Sequence, residues 1–268
     1  MKIGVVGCSG RMGRMLLKEI LDTPGAQLAG GTERPGSPAL GVDLGVLAGG
    51  TALGVGATTD TRALFEASDA VIDFTSPEAT VAHARLAEET RTPLVVGTTG
   101  MTPPDVAALR ALANRVPVVF APNMSVGVTL LMALTERVAS ILGPDYDIEI
   151  VEMHHRHKVD APSGTALGLG EAAAAGRGIE LSDMGVRVRD GHTGPREPGT
   201  IGFATLRGGD VVGDHSVIFA AEGERLELTH KASSRAVFAK GAVRAALWTR
   251  DAGPGLWSMR DVLGLKDS

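Results

Sequence analysis

Cysteine is almost missing from this sequence: the 268 residues contain one, Cys8. A disulfide framework within the chain is therefore excluded, and a zinc site built on thiolates is not expected. Such a chain fits a reducing compartment, and a cytoplasmic location is expected. Aromatic residues are scarce at 3%, which leaves little material for stacking on bases. There is no excess of positive charge either: 26 Lys and Arg face 31 Asp and Glu, a formal net charge of −5. Binding to nucleic acid is therefore not expected, although a local basic pocket can sit on an acidic chain. No apolar run reaches the ~20 residues of a membrane helix, so no membrane association is expected. The opening MKIGVVGCSG places only Lys2 before a short apolar run broken by glycines. It reads as a first strand and not as a signal peptide.

Glycine, by contrast, is abundant, with 36 residues against a usual share of ~7%. Tight turns and close backbone approaches should be frequent. Residues 2–6 form a β-prone run stopped by Gly7, and Met12, Met15, Leu16, Leu17, Ile20 and Leu21 follow at helical spacing. Pro24-Gly25 ends that helix, and a strand is expected over Gln27 to Gly31. The alternation continues with strands at 70–74, 94–96 and 117–120 and helices at 78–89 and 103–114. Strands alternating with helices of this length imply a parallel sheet covered on both faces. The stretch 35–61 lacks periodicity and reads as a surface excursion before a short strand.

The character changes near residue 125. A long helix is expected over 126–142, a strand over 147–153, a polar loop over 154–162 and a helix near 164–175. Strand-like runs follow at 201–207, 215–221 and 225–232, the last two joined through Glu222-Gly223-Glu224 as a hairpin. Residues 235–249 are helical, with an apolar face suited to the first half. The expected fold is α/β: an N-terminal Rossmann-type, doubly wound parallel sheet plus a second α+β domain with a mixed sheet. The dinucleotide-binding domain is expected over 1–125, with 235–268 returning to it. A substrate-binding and oligomerisation domain is expected over 126–234.

Two clusters carry chemistry. The turn Gly7-Cys8-Ser9-Gly10-Arg11-Met12-Gly13 lies between a strand and a helix, where glycines let a phosphate approach the N–H groups of a helix start. Its spacing, G-x-x-G-x-x-G, is one residue off the standard dinucleotide fingerprint. Glu33, twenty residues after Gly13, is placed to accept hydrogen bonds from ribose hydroxyls, and Arg34 to hold a 2′-phosphate. The pair suggests tolerance of both NADH and NADPH. Gly97-Thr98-Thr99 ends another parallel strand and is placed for the same ligand. A glycine-rich turn without a ligand is the plain alternative.

The second cluster is Glu152-Met153-His154-His155-Arg156-His157-Lys158-Val159-Asp160-Ala161-Pro162-Ser163-Gly164-Thr165. Three histidines, an arginine and a lysine within five positions suit an anionic substrate that needs a proton. No cysteine joins them, and adjacent histidines on an extended segment point to opposite sides, so no metal site is expected. Ser163 reads as an N-cap, with Gly164 and Thr165 opening a helix whose N–H groups also attract anions. The two features together suit a dicarboxylate.

The segment His154-His155-x-x-Lys158-x-Asp160-Ala161-Pro162-Ser163-Gly164-Thr165-Ala166 resembles the signature of the dihydrodipicolinate reductase family. Further matches lie at Gly10-Arg11-Met12-Gly13, Asp73-Phe74-Thr75, Gly97-Thr98-Thr99-Gly100, Asn123-x-Ser125-x-Gly127, Gly191-His192-Thr193-Gly194, Pro198-Gly199-Thr200-Ile201-Gly202 and His230-Lys231-Ala232-Ser233-Ser234-Arg235. They cover nearly the whole chain. The resemblance implies reduction of a conjugated cyclic imine dicarboxylate to tetrahydrodipicolinate by NADPH or NADH, in lysine and diaminopimelate synthesis. It implies that His154 handles a proton with Lys158 as its partner, and that His155, Gly164 and Thr165 hold substrate carboxylates. It implies a cofactor lined by Gly7, Cys8, Ser9, Gly10, Arg11, Met12, Glu33, Arg34, Gly97, Thr98, Thr99, Ala121, Pro122, Asn123 and Met124. Cys8 and Met124 depart from the residues common there. The resemblance also implies a homotetramer built through the second domain's sheet. Two other readings stay open: a two-domain nicotinamide oxidoreductase acting on a sugar or semialdehyde, and a non-catalytic dinucleotide sensor.

Overall fold

The computed structural model describes residues 1–265. The chain opens with β1 (Lys2–Val6), α1 (Arg11–Asp22), β2 (Gln27–Thr32), α2 (Leu44–Leu47), α3 (Thr61–Ala67), β3 (Ala70–Asp73), α4 (Pro77–Thr90), β4 (Leu94–Val96), α5 (Pro103–Leu112) and β5 (Pro117–Phe120). It continues through α6 (Val126–Leu142), β6 (Asp147–His154), α7 (Gly164–Arg177), α8 (Leu181–Met184), β7 (Gly185–Val186), β8 (Ile201–Arg207), β9 (Gly213–Ala221) and β10 (Glu224–Ala232). α9 (Ala236–Trp248), β11 (Gly255–Trp257) and α10 (Met259–Val262) follow. These elements make two units, one of Met1–Val126 with Arg235–Leu265 and one containing Gly127–Ser234. The expected return segment extends to 268, and positions 266–268 lie outside the described residues.

The first unit holds a six-stranded sheet in the order β11-β5-β4-β3-β1-β2, with every neighbouring pair parallel. Its strands read as unbroken apolar runs because both faces are covered. Ile3, Val5, Ile72 and Val95 point to the side filled by Leu16, Leu17 and Ile20 of α1 and by Ala242 and Val243 of α9. Val6, Val71, Leu94 and Val96 point the other way, against Phe65, Ala84, Ala87 and Leu109. Local chemistry fixes the helix starts. Ser76 caps Ala79 N–H ahead of Pro77, and Thr102 with Asp105 forms a capping box ahead of Pro103.

The sheet differs from the sequence expectation at its edge. A sixth strand, β11, adds beside β5 from the C-terminal segment. The stretch 35–61 also differs, because it contains the helical turn α2 and leads into α3. Leu44 and Leu47 are buried there. One side chain organises the loop around them: the Asp43 carboxylate accepts the backbone N–H groups of Gly45, Val46, Leu53, Gly54 and Val55 at 2.7–3.3 Å. These bonds, that from Leu53 foremost, hold the Asp43 carboxyl below the usual range. A depressed carboxyl contributes stability above its unfolded value and loses it as pH falls through the folded value. Hydrogen-exchange protection of Leu53, Gly54 and Val55 should therefore persist at pH 5 and through the ordinary aspartate range near 3.8, and fail only at lower pH. Asp43→Ala should lose it at pH 5 already.

The second unit holds a mixed sheet in the order β10-β9-β6-β8-β7. β6 is parallel to β8 and antiparallel to β9. The β9–β10 hairpin turns through Glu222 and Gly223, with Gly223 at φ +86° and Ala221 opposite Glu224. Ile148, Ile150, Ile201, Val217 and Phe219 form one face, covered by Leu131 and Ala139 of α6 and by Ala166, Leu169 and Ala173 of α7. One expectation needs correcting here. The stretch Val126–Asp145 does reach the length and mean hydropathy, 1.5 over 20 residues, of a membrane-crossing helix. Thr129, Thr135, Glu136 and Arg137 interrupt its apolar run in sequence without lowering the average enough. Its inward side chains Leu131 and Ala139 join the core of this unit, while Leu130, Leu134 and Ile141 on the same helix are exposed.

Candidate cofactor and substrate sites

In the first unit the site begins where β1 ends. Gly7 sits at φ +66°, the left-handed region that favours glycine. A Cβ on Gly13 would lie 2.2 Å from the Gly7 carbonyl oxygen, so α1 can pack against the turn only through a glycine. The turn is closed by Gly10 N–H on Gly7 O at 3.1 Å and tied to β2 by Cys8 N–H on Thr32 O at 3.1 Å. Glu33 follows β2 directly, and its Oε1 accepts both the N–H and the hydroxyl of Ser9 at 2.7 Å. The carboxylate is thus held beside the turn. Arg34 next to it is exposed. Gly7, Glu33, Arg34, Thr75, Ala79 and His83 line a cleft of about 420 Å³ at the carboxyl ends of β1, β2 and β3. Ligands bind at such strand ends where the sheet order reverses, here between β1 and β3. The glycine cradle and the adjacent cleft fit a dinucleotide.

Behind that cleft, buried Asp73 accepts the N–H and hydroxyl of Thr75 at 2.8 and 2.6 Å and faces His83 Nδ1 at 2.8 Å. The Thr98 hydroxyl lies 2.8 Å from that of Thr80. Gly97 is squeezed by Phe74, whose ring would lie 2.2 Å from a Cβ there. Thr99 is exposed at the strand end. Ala121 is buried, Pro122 is exposed, and Asn123 Oδ1 accepts the Ser125 N–H at 2.9 Å. Arg11 is exposed at the start of α1, and Met12 is half-buried against the core. Cys8, Thr98 and Met124 are buried, so their side chains serve packing and a ligand would meet their backbone. Burial, with Glu33 next, pushes the Cys8 thiol up to about 11. Thr75 and His83 were missed as site residues in the sequence. For Thr75 a signal existed, the Asp73-Phe74-Thr75 match at the end of β3; His83, inside α4, carried none.

The second unit gathers the basic cluster around β6. His154 is 9% exposed and Glu152 1%. The two share the inward face of the strand with Ile148 and Ile150. His154 Nδ1 lies 2.6 Å from Glu152 Oε2. Arg207, opposite His154 on β8, donates to both oxygens of Glu152 at 2.8 and 2.9 Å. The Ser163 N–H donates to Glu152 Oε1 at 3.0 Å. Burial alone would raise the Glu152 carboxyl, but these hydrogen bonds from Arg207, His154 and Ser163 outweigh it and hold the group below the usual range. It is therefore a carboxylate, and His154 Nδ1 carries the hydrogen it faces. His215 on β9 packs edge-on against His154, with centroids 5.1 Å apart. Burial, then His154, pushes the His215 imidazole down to about 4, so it is neutral.

Ser163 caps α7 as the sequence predicts, its hydroxyl accepting Ala166 N–H at 3.1 Å. A Cβ on Gly164 would meet nothing within 4 Å. Its glycine answers to no packing demand, and open space adjoins a helix start that favours anions. Lys158 Nζ pairs with Asp160 Oδ1 at 2.8 Å, and Arg207 Nη2 donates to the Asp160 carbonyl at 2.7 Å. The histidines do not share one extended segment: His154 ends β6 and is buried, while residues 156–157 form a turn closed by Lys158 N–H on His155 O at 3.1 Å, with the His155 and His157 rings 6.2 Å apart. Sequence reasoning missed Glu152, Arg207 and His215. For Glu152 a signal existed, its place two residues before His154 on an alternating strand.

A parallel sheet with a glycine-cradled cleft, joined in one chain to an anion-attracting site with a buried histidine, defines a dinucleotide-dependent oxidoreductase. Comparison with known proteins narrows the class. The profile described as "Dihydrodipicolinate reductase, N-terminus" matches residues 1–124, and "Dihydrodipicolinate reductase, C-terminus" matches 127–263. The chain is 59% identical to the 4-hydroxy-tetrahydrodipicolinate reductase of Dinoroseobacter shibae, over 98% of both chains. It is 57% identical to that of Brucella melitensis, over 99% of both. The chain belongs to the dihydrodipicolinate reductase family. Among solved structures, the dipicolinate-bound dihydrodipicolinate reductase from Paenisporosarcina sp. TG-14 shares the fold with a TM-score of 0.76 at 22% identity, over 96% of this chain and 97% of that one. A probable dehydrogenase from Thermotoga maritima shares it at 0.65 and 13% identity, over 98% and 92%.

Proposed function

We propose that the protein is a 4-hydroxy-tetrahydrodipicolinate reductase, reducing the conjugated imine of a cyclic dicarboxylate at the expense of NADH or NADPH. The observation that carries this reading is the shared carboxylate of Glu152. It joins the ring of His154 to the N–H of Ser163, and so holds a proton-handling group and an anion-attracting helix start together. When bound, the dihydronicotinamide supplies the hydride. The protein's own groups do the rest. The α7 start, with Gly164 and Thr165, and the imidazole of His155 hold the substrate carboxylates. His154 and Lys158 stabilise the negative charge that develops on the nitrogen–carbon framework and deliver a proton to it.

In the first unit, the turn Gly7 to Met12 receives the pyrophosphate. Glu33 accepts from the adenosine ribose, Arg34 meets a 2′-phosphate, and the ends of β4 and β5 (Gly97 to Thr99, Ala121 to Met124) border the remainder. A homotetramer is proposed through the second sheet. Its face away from α6 and α7 carries Val151, Leu206 and Ile218, apolar groups that a second copy would cover. A cytoplasmic site of action suits the single buried cysteine.

The test is oxidation of NADPH and of NADH by the purified protein. Substrate is formed in the cuvette by condensing pyruvate with aspartate semialdehyde in the presence of the condensing enzyme. Oxidation should require every component and stop when pyruvate is omitted. No oxidation despite cofactor binding would favour another substrate or a sensor. In the same assay Arg34→Ala should raise KM for NADPH about 10-fold or more and leave KM for NADH nearly unchanged, as expected for loss of a charge-assisted contact. Equal effects on both cofactors would remove Arg34 from the 2′-phosphate.

A further inference from the structure

The chemistry proposed for His154 leaves a buried ion pair unexplained. Glu152 and Arg207 face inward on adjacent strands, where apolar residues of similar volume would often stabilise a core as well or better. The pair does more than satisfy itself. The two oxygens of Glu152 take four donor groups from three residues on separate elements: both Nη groups of Arg207 from β8, Nδ1 of His154 from β6, and the N–H of Ser163 at the cap of α7. Arg207 in turn holds the Asp160 carbonyl, and the Asp160 carboxylate holds Lys158. His154 Nε2 is turned to Gly213, lying 3.0 Å from where a Cβ would stand, so a methyl there would crowd the nitrogen.

We propose that Glu152, clamped by Arg207, is the positioning residue of the site, fixing the orientation and tautomer of His154 and anchoring the Lys158 loop and the α7 start in one frame. The inference rests on the reading of His154 as the group that handles the proton. A carboxylate on Nδ1 sets that nitrogen as the donor and leaves Nε2 as the nitrogen through which the ring exchanges a proton. Partners of this kind typically change activity 10–100-fold where they orient a metal-bound histidine, and the carboxylate stands on Nδ1 of His154 in the same way.

Among the described residues, charged and titratable groups surround His154 from several elements. Glu152 lies on its own strand, Arg207 on β8, Asp214 and His215 on β9, His230 on β10, and Lys158 and Asp160 on the following loop. His215 is neutral in the working range and does not compete for the proton.

Two variants of the full-length protein test the proposal, read by ¹H–¹⁵N spectra of the imidazole across pH, with the His154 signals assigned by their loss in His154→Gln. Glu152→Gln removes the charge and should move the pH at which His154 loses its proton downward. Arg207→Met removes the competing cation while His154 and the Ser163 N–H still hold the carboxylate, and should move it up. In parallel, kcat/KM should fall about 10–100-fold in Glu152→Gln, with its alkaline fall displaced to lower pH and KM for NADH unchanged. Shifts of opposite sign are not produced by a loosened core. Unmoved His154 signals in both variants, or shifts of the same sign with only a lowered Tm, would overturn the proposal. If the wild-type protein oxidises no cofactor with the substrate present, the reading of the function falls, and the ring spectra still decide whether Glu152 positions His154.

Discussion

Lys158→Ala is expected to lower kcat/KM by about 10²–10⁴-fold, the range for a positioned acid, while NADH binds as tightly as before. The lysine is held in place before any substrate arrives. Its ammonium pairs with Asp160, and its side chain is 20% exposed. Asp160 is in turn tied through its carbonyl to Arg207. In the role proposed for it, an ammonium fixed in this way would meet a multiply anionic substrate without first being ordered, and alanine would remove both a binding charge and a proton source. Both KM for the substrate and kcat should suffer. Lys158→Arg should not restore the rate, because a guanidinium keeps the charge but hardly releases a proton. Fluorescence titration with NADH separates the roles. A large loss of NADH affinity in Lys158→Ala would assign the basic loop to the cofactor.

The second large effect concerns stability. In Gly241→Ala the new Cβ would fall 1.7 Å from the Met124 carbonyl oxygen, a backbone atom that cannot swing aside as a side chain can. α9 and the segment after β5 would have to separate, and the alanines of α9 that fill one face of the first sheet would lose their fit. The expected cost is about 3 kcal/mol or more, a fall in Tm of roughly 6–12 °C for a chain of this size. Gly253→Ala is the control, because a Cβ there meets nothing within 4 Å. Its Tm should match the wild type. Equal Tm values for the two variants would mean that the contact relaxes freely.

Much of this molecule is legible in its sequence because the physics behind the signals is local. The strands of the first sheet show as apolar runs since both their faces are buried, and α4 and α5 start where serine, threonine and proline dictate. Gly7, Gly13 and Ser163 are each required by the backbone within a few residues. The parts that were missed depend on distant partners. β11 is three residues long, and only the free edge of β5 makes it a strand. The loop after residue 43 has no periodicity because one carboxylate holds it. Glu152 was concealed by a change of phase. Along β6 the apolar residues Ile148 and Ile150 point inward, while Val151 and Met153 belong to the other face. An acidic residue beside that switch reads as solvent-facing, although its partner Arg207 lies 55 residues away.

The discontinuity of the first unit bears on how the chain acquires its shape during synthesis. Everything belonging to Gly127–Ser234 is contiguous, so that unit has its full set of strands and helices once residue 234 has emerged. The nucleotide-binding sheet, made earlier, is then still missing Ala239, Ala242, Val243 and Ala246, which seal the layer over Ile3, Val5 and Leu17. The half that is translated first is therefore the half that is finished last, and until α9 arrives an apolar flank of the older half stands open to solvent.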